Sequence, residues 1–223
     1  GTELHLLTNN KTNTGTFAAV NGGVLRVDSG KLTNYDAGSK TLSGGSYQVI
    51  GSSTMRLVDM NIQTLDAAVL LDGANARLFS SSAGSTSALA NLSSITAAGS
   101  LTVNNGANLT ISALVHNAGT IAGNGTLTCD INNTGTISPG SSTDTLTIAG
   151  DVTNFDSAVT LIEVAGSGAG LFDLLNLTGI FGVNGTLLVR FLPGAENLNP
   201  ADVLTIVDAE SLYQSNSTLA FDQ

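Results

Sequence analysis

The sequence predicts an all-β fold: a parallel β-solenoid over residues 1–150, followed by a C-terminal antiparallel β cap or small sandwich over residues 151–223. Three observations predict it. The first is a phrase that occurs three times: Asn13-Thr14-Gly15-Thr16-Phe17 before Val24-Leu25-Arg26-Val27, Asn117-Ala118-Gly119-Thr120-Ile121 before Thr126-Leu127-Thr128-Cys129, and Asn133-Thr134-Gly135-Thr136-Ile137 before Thr145-Leu146-Thr147-Ile148. Each copy reads as a polar corner, a short strand, a Gly-rich turn and a second strand. The second is spacing, because the phrase recurs after 16 residues, from Gly119 to Gly135. A sandwich would need longer strands and frequent two-residue hairpins. A coil of roughly 16 to 25 residues, each turn pairing with the next, fits instead. The third is a change of texture after Asp151, where strands become longer and more apolar.

Short alternating runs between Gly, Asn, Asp and Ser clusters mark the strands: Val24 to Val27, Ser46 to Ile50, Met55 to Val58, Leu101 to Val103, Leu109 to Ile111, Leu127 to Ile131 and Leu146 to Ile148. Between them stand Asn21-Gly22-Gly23, Ser43-Gly44-Gly45, Asn104-Asn105-Gly106 and Asn124-Gly125, residues that tolerate the left-handed backbone of a sharp corner. Leu65 to Gly73 reads as a strand before an Asp-Gly turn, with a short helix ending at Gly73 as the alternative. Ser80 to Ser87 reads as a Ser-rich loop. With a rise of ~4.8 Å per coil, residues 1–150 would make about seven coils, a rod of roughly 35 Å. Beyond Asp151 the expected strands are Val159 to Val164, Phe172 to Leu177, Thr186 to Leu192 and Val203 to Val207, with Asn184-Gly185 as a hairpin turn. A cap built from them would cover the unpaired last coil.

Composition narrows the function. Charged residues make up 11% of the chain, against roughly 25% in ordinary globular proteins, and the net charge is -10. That balance disfavours nucleic acid, whose phosphates need Lys and Arg, and attraction to anionic lipid. No apolar run approaches the ~18 residues of a spanning helix. A surface of Ser, Thr and Asn points to an extracellular protein. Residue 1 falls directly in repeat-like sequence with no signal peptide, so the chain reads as a processed product or excised fragment. Cys129, the single cysteine, takes the inward slot of Val27 and Ile148 and reads as a small core hydrophobe.

The stretch Thr134-Gly135-Thr136-Ile137-Ser138-Pro139-Gly140-Ser141-Ser142, followed by Thr145-Leu146-Thr147-Ile148-Ala149-Gly150-Asp151, resembles the passenger pattern of autotransporter-type β-helix proteins. The same pattern occurs in secreted bacterial proteins that carry a PEP-CTERM sorting tag. Leu161-Ile162-Glu163-Val164, Phe172-Asp173-Leu174-Leu175 and Gly185-Thr186-Leu187-Leu188-Val189 match its usual continuation. The resemblance covers residues 117–210 well and 13–60 loosely. It implies a right-handed parallel β-helix on the bacterial exterior, in adhesion, surface layers or biofilm. The chain shows neither a translocating β-barrel nor a terminal sorting tag, so the resemblance leaves export route and anchoring open.

Alternation along the strands assigns faces. Leu25, Val27, Leu127, Cys129, Leu146 and Ile148 point inward. Thr126, Thr128, Thr145 and Thr147 point outward, as do Thr102 and Thr110. These six threonines are the candidate ligand-binding array, able to order water or grip a glycan, although exposed strand positions favour Thr on propensity alone. Asp28 and Asp130 follow equivalent strands and could sit close together in the stack. With Arg26, Arg56 and Arg77 as a basic stripe, they are what a polysaccharide-cleaving enzyme would have to use. Each Asp nevertheless stands where a turn-forming Asp is expected. His5 and His116 lack partners at ligand spacing, and Gly166 to Gly170 lacks the Lys and helix of a phosphate loop. No metal or cofactor is expected. The expected function is a non-catalytic structural or adhesive module at a bacterial surface. The alternatives are a glycan-binding or glycan-cleaving β-helix and an ice-binding solenoid. The expected partners are surface glycans or a second copy, which the strand-like Glu3-Leu4-His5-Leu6-Leu7 could join head to tail into a filament.

Overall fold

The computed structural model describes residues 2–140 and 142–222; Gly1, Ser141 and Gln223 lie outside it, and Ser141 is one residue of the Thr134 to Ser142 motif. The chain winds as a parallel β-helix. Among the described residues every strand pairs in parallel with its neighbours except Tyr35–Asp36, which runs antiparallel to Thr41–Ile50. Among the described residues no helix is long and apolar enough to cross a membrane.

Each coil visits three faces. One carries, in rising order, Ser94–Ile95, Val115–Asn117, Ile131–Asn133 and Val152–Asn154. The next carries Thr16–Ala19, Ser100–Asn104, Thr120–Gly123, Thr136–Pro139 and Val159–Val164. Thr41–Ile50, Thr64–Asp72 and Ile180–Phe191 run round the corner between these two faces and fuse them into one 14-stranded sheet. The third face is split into two blocks. Glu3–Leu6, Val24–Val27, Thr54–Leu57 and Arg77–Phe79 form a four-stranded sheet. Asn108–Thr110, Thr126–Thr128, Thr145–Ala149, Leu174–Leu177 and Val207–Asp208 form a five-stranded one.

The recurring Asn-x-Gly phrase has a physical cause here. Asn117, Asn133 and Asn154 are buried at the corner between the first two faces. Asn117 Nδ2 donates to Asn133 Oδ1 at 2.8 Å, Asn133 Nδ2 to Asn154 Oδ1 at 2.9 Å, and Asn154 Nδ2 to Thr160 Oγ1 at 3.1 Å. The Oδ1 of Asn117 and of Asn133 also accepts the backbone N–H two residues on, from Gly119 and Gly135. Those glycines are required by close approach: a Cβ on Gly135 would sit 2.2 Å from the Gly119 carbonyl oxygen. The left-handed corners lie elsewhere, at Asn21-Gly22, Gly44-Gly45 and Asn105-Gly106, while Asn124-Gly125 is not one of them. Asn13 makes the same local bond to Gly15 N, but its Nδ2 donates to the backbone oxygen of Ser46.

Several expectations need correction. Winding does not give way to an antiparallel cap after Asp151. Leu174–Leu177 pairs in parallel with Thr145–Ala149, and Ile180–Phe191 with Val159–Val164 and with Ser211–Asp222. The longer strands there are corner-spanning strands. Asn184-Gly185 is not a hairpin turn: Gly185 has φ 72° and lies at a bulge inside Ile180–Phe191, so left-handed backbone bends the strand without reversing it. Of Val203 to Val207 only Val207–Asp208 forms a strand, and Val203 is 91% exposed. Leu65 to Gly73 is strand, within Thr64–Asp72. Leu127 to Ile131 divides at Cys129-Asp130 into strands on two faces. The core runs the length of the winding, from Leu25 to Phe181, and a second cluster forms around Ile162, Val164 and Val189.

Candidate functional site

The six predicted threonines all point outward, but they do not form one array. Thr126 stands beside Thr147, and Thr110 beside Thr128. The register differs by two residues from the alignment of the repeated phrases, so Thr145 stands beside Leu174. A shift of two preserves the faces. Cys129 therefore stays inward at 7% exposure, its thiol pushed up to about 12 by burial. Thr102 lies on the long sheet, between Leu70 and Ala122.

That long sheet carries a more extensive pattern. Its outward column runs Thr16, Ser46, Ala68, Ser100, Thr120, Thr136, Val159, Thr186 and Thr218. The adjacent column holds Ala18, Gln48, Leu70, Thr102, Ala122 and Ser138, then Leu161, Leu188 and Ala220. Neither contains an Asp, Glu, Lys or Arg. At ~4.8 Å per rung the strip is about 38 Å long. Charge returns in the flanking columns, at Asp66 on one side and at Asp72, Glu163 and Arg190 on the other, where Arg190 Nη1 lies 3.5 Å from Glu163 Oε1. Sequence reading missed this strip because its members come from nine separate coils. Thr120 and Thr136 were visible in the repeated phrase, but their neighbours were not.

Asp28 and Asp130 are not brought together. They stand in different blocks of the third face, four rungs apart. Asp28 Oδ1 accepts His5 Nε2 at 2.8 Å and Arg26 Nε at 2.9 Å, and the His5 hydrogen bond leads the effects that hold its carboxyl below the usual range. Asp130 Oδ1 accepts the Asp151 N–H at 2.9 Å, and Asp151 Oδ1 in turn accepts the Ile180 N–H at 2.8 Å. Those two carboxylates stitch successive corners. The basic stripe is real for two of three residues: Arg26 stands beside Arg56, with Arg77 in the neighbouring column beside Thr54. His116 is exposed, and among the described residues no group of three His, Cys, Asp or Glu could hold a metal ion.

Glu3–Leu6 forms the first rung of the third face, paired along one edge with Val24–Val27 of its own chain. No strand among the described residues pairs with its other edge.

One carboxylate escaped sequence reading. Asp173 is fully buried, and its oxygens accept the backbone N–H groups of Asp144 at 3.0 Å and Glu163 at 2.8 Å. Burial pushes its pKa up to about 7, against the pull of those two hydrogen bonds. Both oxygens are occupied by backbone, so the group ties three segments of a coil together.

Comparison with protein-family models, curated proteins and solved structures finds no match to this chain.

Proposed function

We propose that this chain is a non-catalytic structural or adhesive β-solenoid module displayed outside a bacterial cell, and that the uncharged strip of the long sheet is its contact surface. The observation that carries the reading is that strip: two outward columns over nine rungs without an ionised side chain, in a protein of net charge -10. An uncharged face, mostly Thr, Ser and Ala, at a fixed pitch suits weak, repeated contact, in which clustering multiplies affinity. The resemblance of residues 117–210 to autotransporter passengers supports the location. The test compares monomeric protein with protein displayed densely on beads, against bacterial cells and polysaccharide-coated surfaces. Dense display should retain cells or polysaccharide where the monomer does not, and Thr120→Lys with Thr136→Lys should abolish retention. Equal retention by the double variant, or release of reducing sugar from the retained polysaccharide, would sink the reading.

A second reading, head-to-tail assembly, is favoured by the open edge of Glu3–Leu6 together with a charge asymmetry. Residues 1–100 carry six acids and six Lys or Arg, whereas residues 101–223 carry eleven acids and only Arg190. Two acidic ends repel, and a balanced end facing an acidic one does not. Sedimentation of the same preparation across a concentration series reads this out. A single small species throughout counts against it.

A further inference from the structure

We infer that the interruption of the third face is a binding cleft for a carboxylated sugar unit. The ladder breaks at one level. Thr64–Asp72 and Ser100–Asn104 pair over five residues, and Asn105 Nδ2 still reaches Asp72 Oδ1 at 2.6 Å. Past that corner Arg77–Phe79 and Asn108–Thr110 do not pair at all. The Ser-rich loop is the cause. It turns back so that Ser80 N donates to Thr86 O and Ala88 N to Leu78 O, which lays an antiparallel limb along the edge of Arg77–Phe79. The coils close again at Ser112 N to Ala90 O and His116 N to Ser93 O. What remains is a cavity of about 250 Å³.

Its chemistry is divided. The floor is core: Leu71, Ala76, Leu78 and Leu109, each at most 4% exposed. The rim is Ser85, Ser87, Asn108, Thr110, Phe79 and Arg77. Hydroxyls and an amide both donate and accept, as sugar hydroxyls require, and an apolar floor suits the C–H face of a ring. The size is below the ~300–1,000 Å³ of pockets for drug-sized ligands, which fits one ring with its neighbours in solvent.

Arg77 sets the charge. Its Nη1 donates to the carbonyls of Ala74 and Ala76, at 3.0 and 2.9 Å. Among the described residues Nε and Nη2 have no hydrogen-bond partner and no acid lies within ion-pair reach. Those two nitrogens form the fork that meets a carboxylate side-on. Arg56 secures the wall: its Nη1 donates to Ser81 O and Gly84 O at 2.9 Å, and its guanidinium lies 5.2 Å from the Phe79 ring centre. No Asp or Glu lines the cleft, so an anion there meets no like charge in its walls. The cleft is on a different face from the uncharged strip and stands independently of it.

Titration calorimetry with alginate and hyaluronate oligosaccharides, each beside its methyl ester, tests this. The esters keep the ring and hydroxyls and lose the charge. At least one acid should bind about ten- to a hundredfold more tightly than its ester, the range of one charge-assisted hydrogen-bonded pair. Arg77→Met should bring the acid down to the affinity of its ester and so erase that ratio. Asn108→Trp, on the exposed rim, should block acid and ester alike with the melting temperature unaltered. No binding of either acid at millimolar concentration, or an acid-to-ester ratio that survives Arg77→Met, overturns the assignment.

Discussion

Leu42, Leu65 and Ile95 stand in the same inward column as Asn117, Asn133 and Asn154, rung after rung, and all six are buried to within 3%. The lower coils fill the corner with hydrocarbon. The upper coils fill it with amides that bond from one rung to the next. Hydrocarbon is indifferent to direction, so its sequence can vary. An amide column is directional: each Nδ2 needs the next Oδ1, and each Oδ1 needs a backbone N–H beside it. Glycine two residues on from Asn117 and Asn133 has a separate cause, the close approach of successive corners, and the two requirements together make the phrase visible in the sequence. The same slot is therefore anonymous in one half of the winding and conspicuous in the other.

The largest expected effect breaks the amide column at its centre. Asn133→Ala leaves Asn154 Oδ1 without its donor, takes one of the two acceptors of Asn117 Nδ2 and empties a packed slot, and should lower stability by about 4 kcal/mol, since a buried polar group left unsatisfied costs about 1–3 kcal/mol and the truncation cavity adds to it. Leu65→Ala in the hydrocarbon half should lose about 3 kcal/mol, mostly through the cavity. Denaturant unfolding of both measures the difference. A loss of under about 1 kcal/mol in Asn133→Ala would show that the bonds contribute nothing net over a filled slot.

A smaller effect tests the glycine. Gly135→Ala places a Cβ against the Gly119 carbonyl, where backbone has to move, and should cost about 2 kcal/mol. Gly15→Ala, with nothing within 4 Å of its Cβ, is the matched control and should be close to neutral in the same unfolding assay.

The smallest effect at neutral pH separates amides from a buried carboxylate in the same half. The folded-state pKa of Asp173, about 7, lies above the ordinary carboxyl value of 3.8, so the folded chain holds this proton more firmly than the unfolded one. Its contribution to stability therefore falls as pH rises between about 4 and 7. Asp173→Asn should lose stability at pH 5, because one backbone N–H then faces an NH₂ group, and should unfold with a flatter pH dependence over that window. Thermal melts at a series of pH values would detect it, and an unchanged slope would remove Asp173 as the titrating group. Amide variants such as Asn133→Ala should leave the slope as it is.

The winding, the short strands and the inward or outward sense of Leu127, Cys129 and Thr128 were all legible, because alternation and corner spacing are local. The register between coils was not. Thr145 and Thr126 occupy matching places in their phrases, yet Thr147 is the neighbour of Thr126, since pairing is decided by how many residues each corner consumes. Direction after Asp151 was misread for a related reason. Asn184-Gly185 has the composition of a hairpin, and only the carbonyl of Ala158, 2.3 Å from where a Cβ would stand on Gly185, reveals a bend in a parallel strand. Asp173 looks like any Asp between apolar residues. Its burial depends on backbone from Asp144 and Glu163, at least ten residues away. The cleft was half legible: the Ser-rich loop was plain, while the rung it displaces was not.

The interrupted face also has a mechanical meaning. A pull along the axis crosses most levels of the stack through ladders on three faces. Between Arg77–Phe79 and Asn108–Thr110 it crosses through two. Stress concentrates there and the stack hinges toward the unbroken faces, so under tension this level is a seam in the interior of the winding.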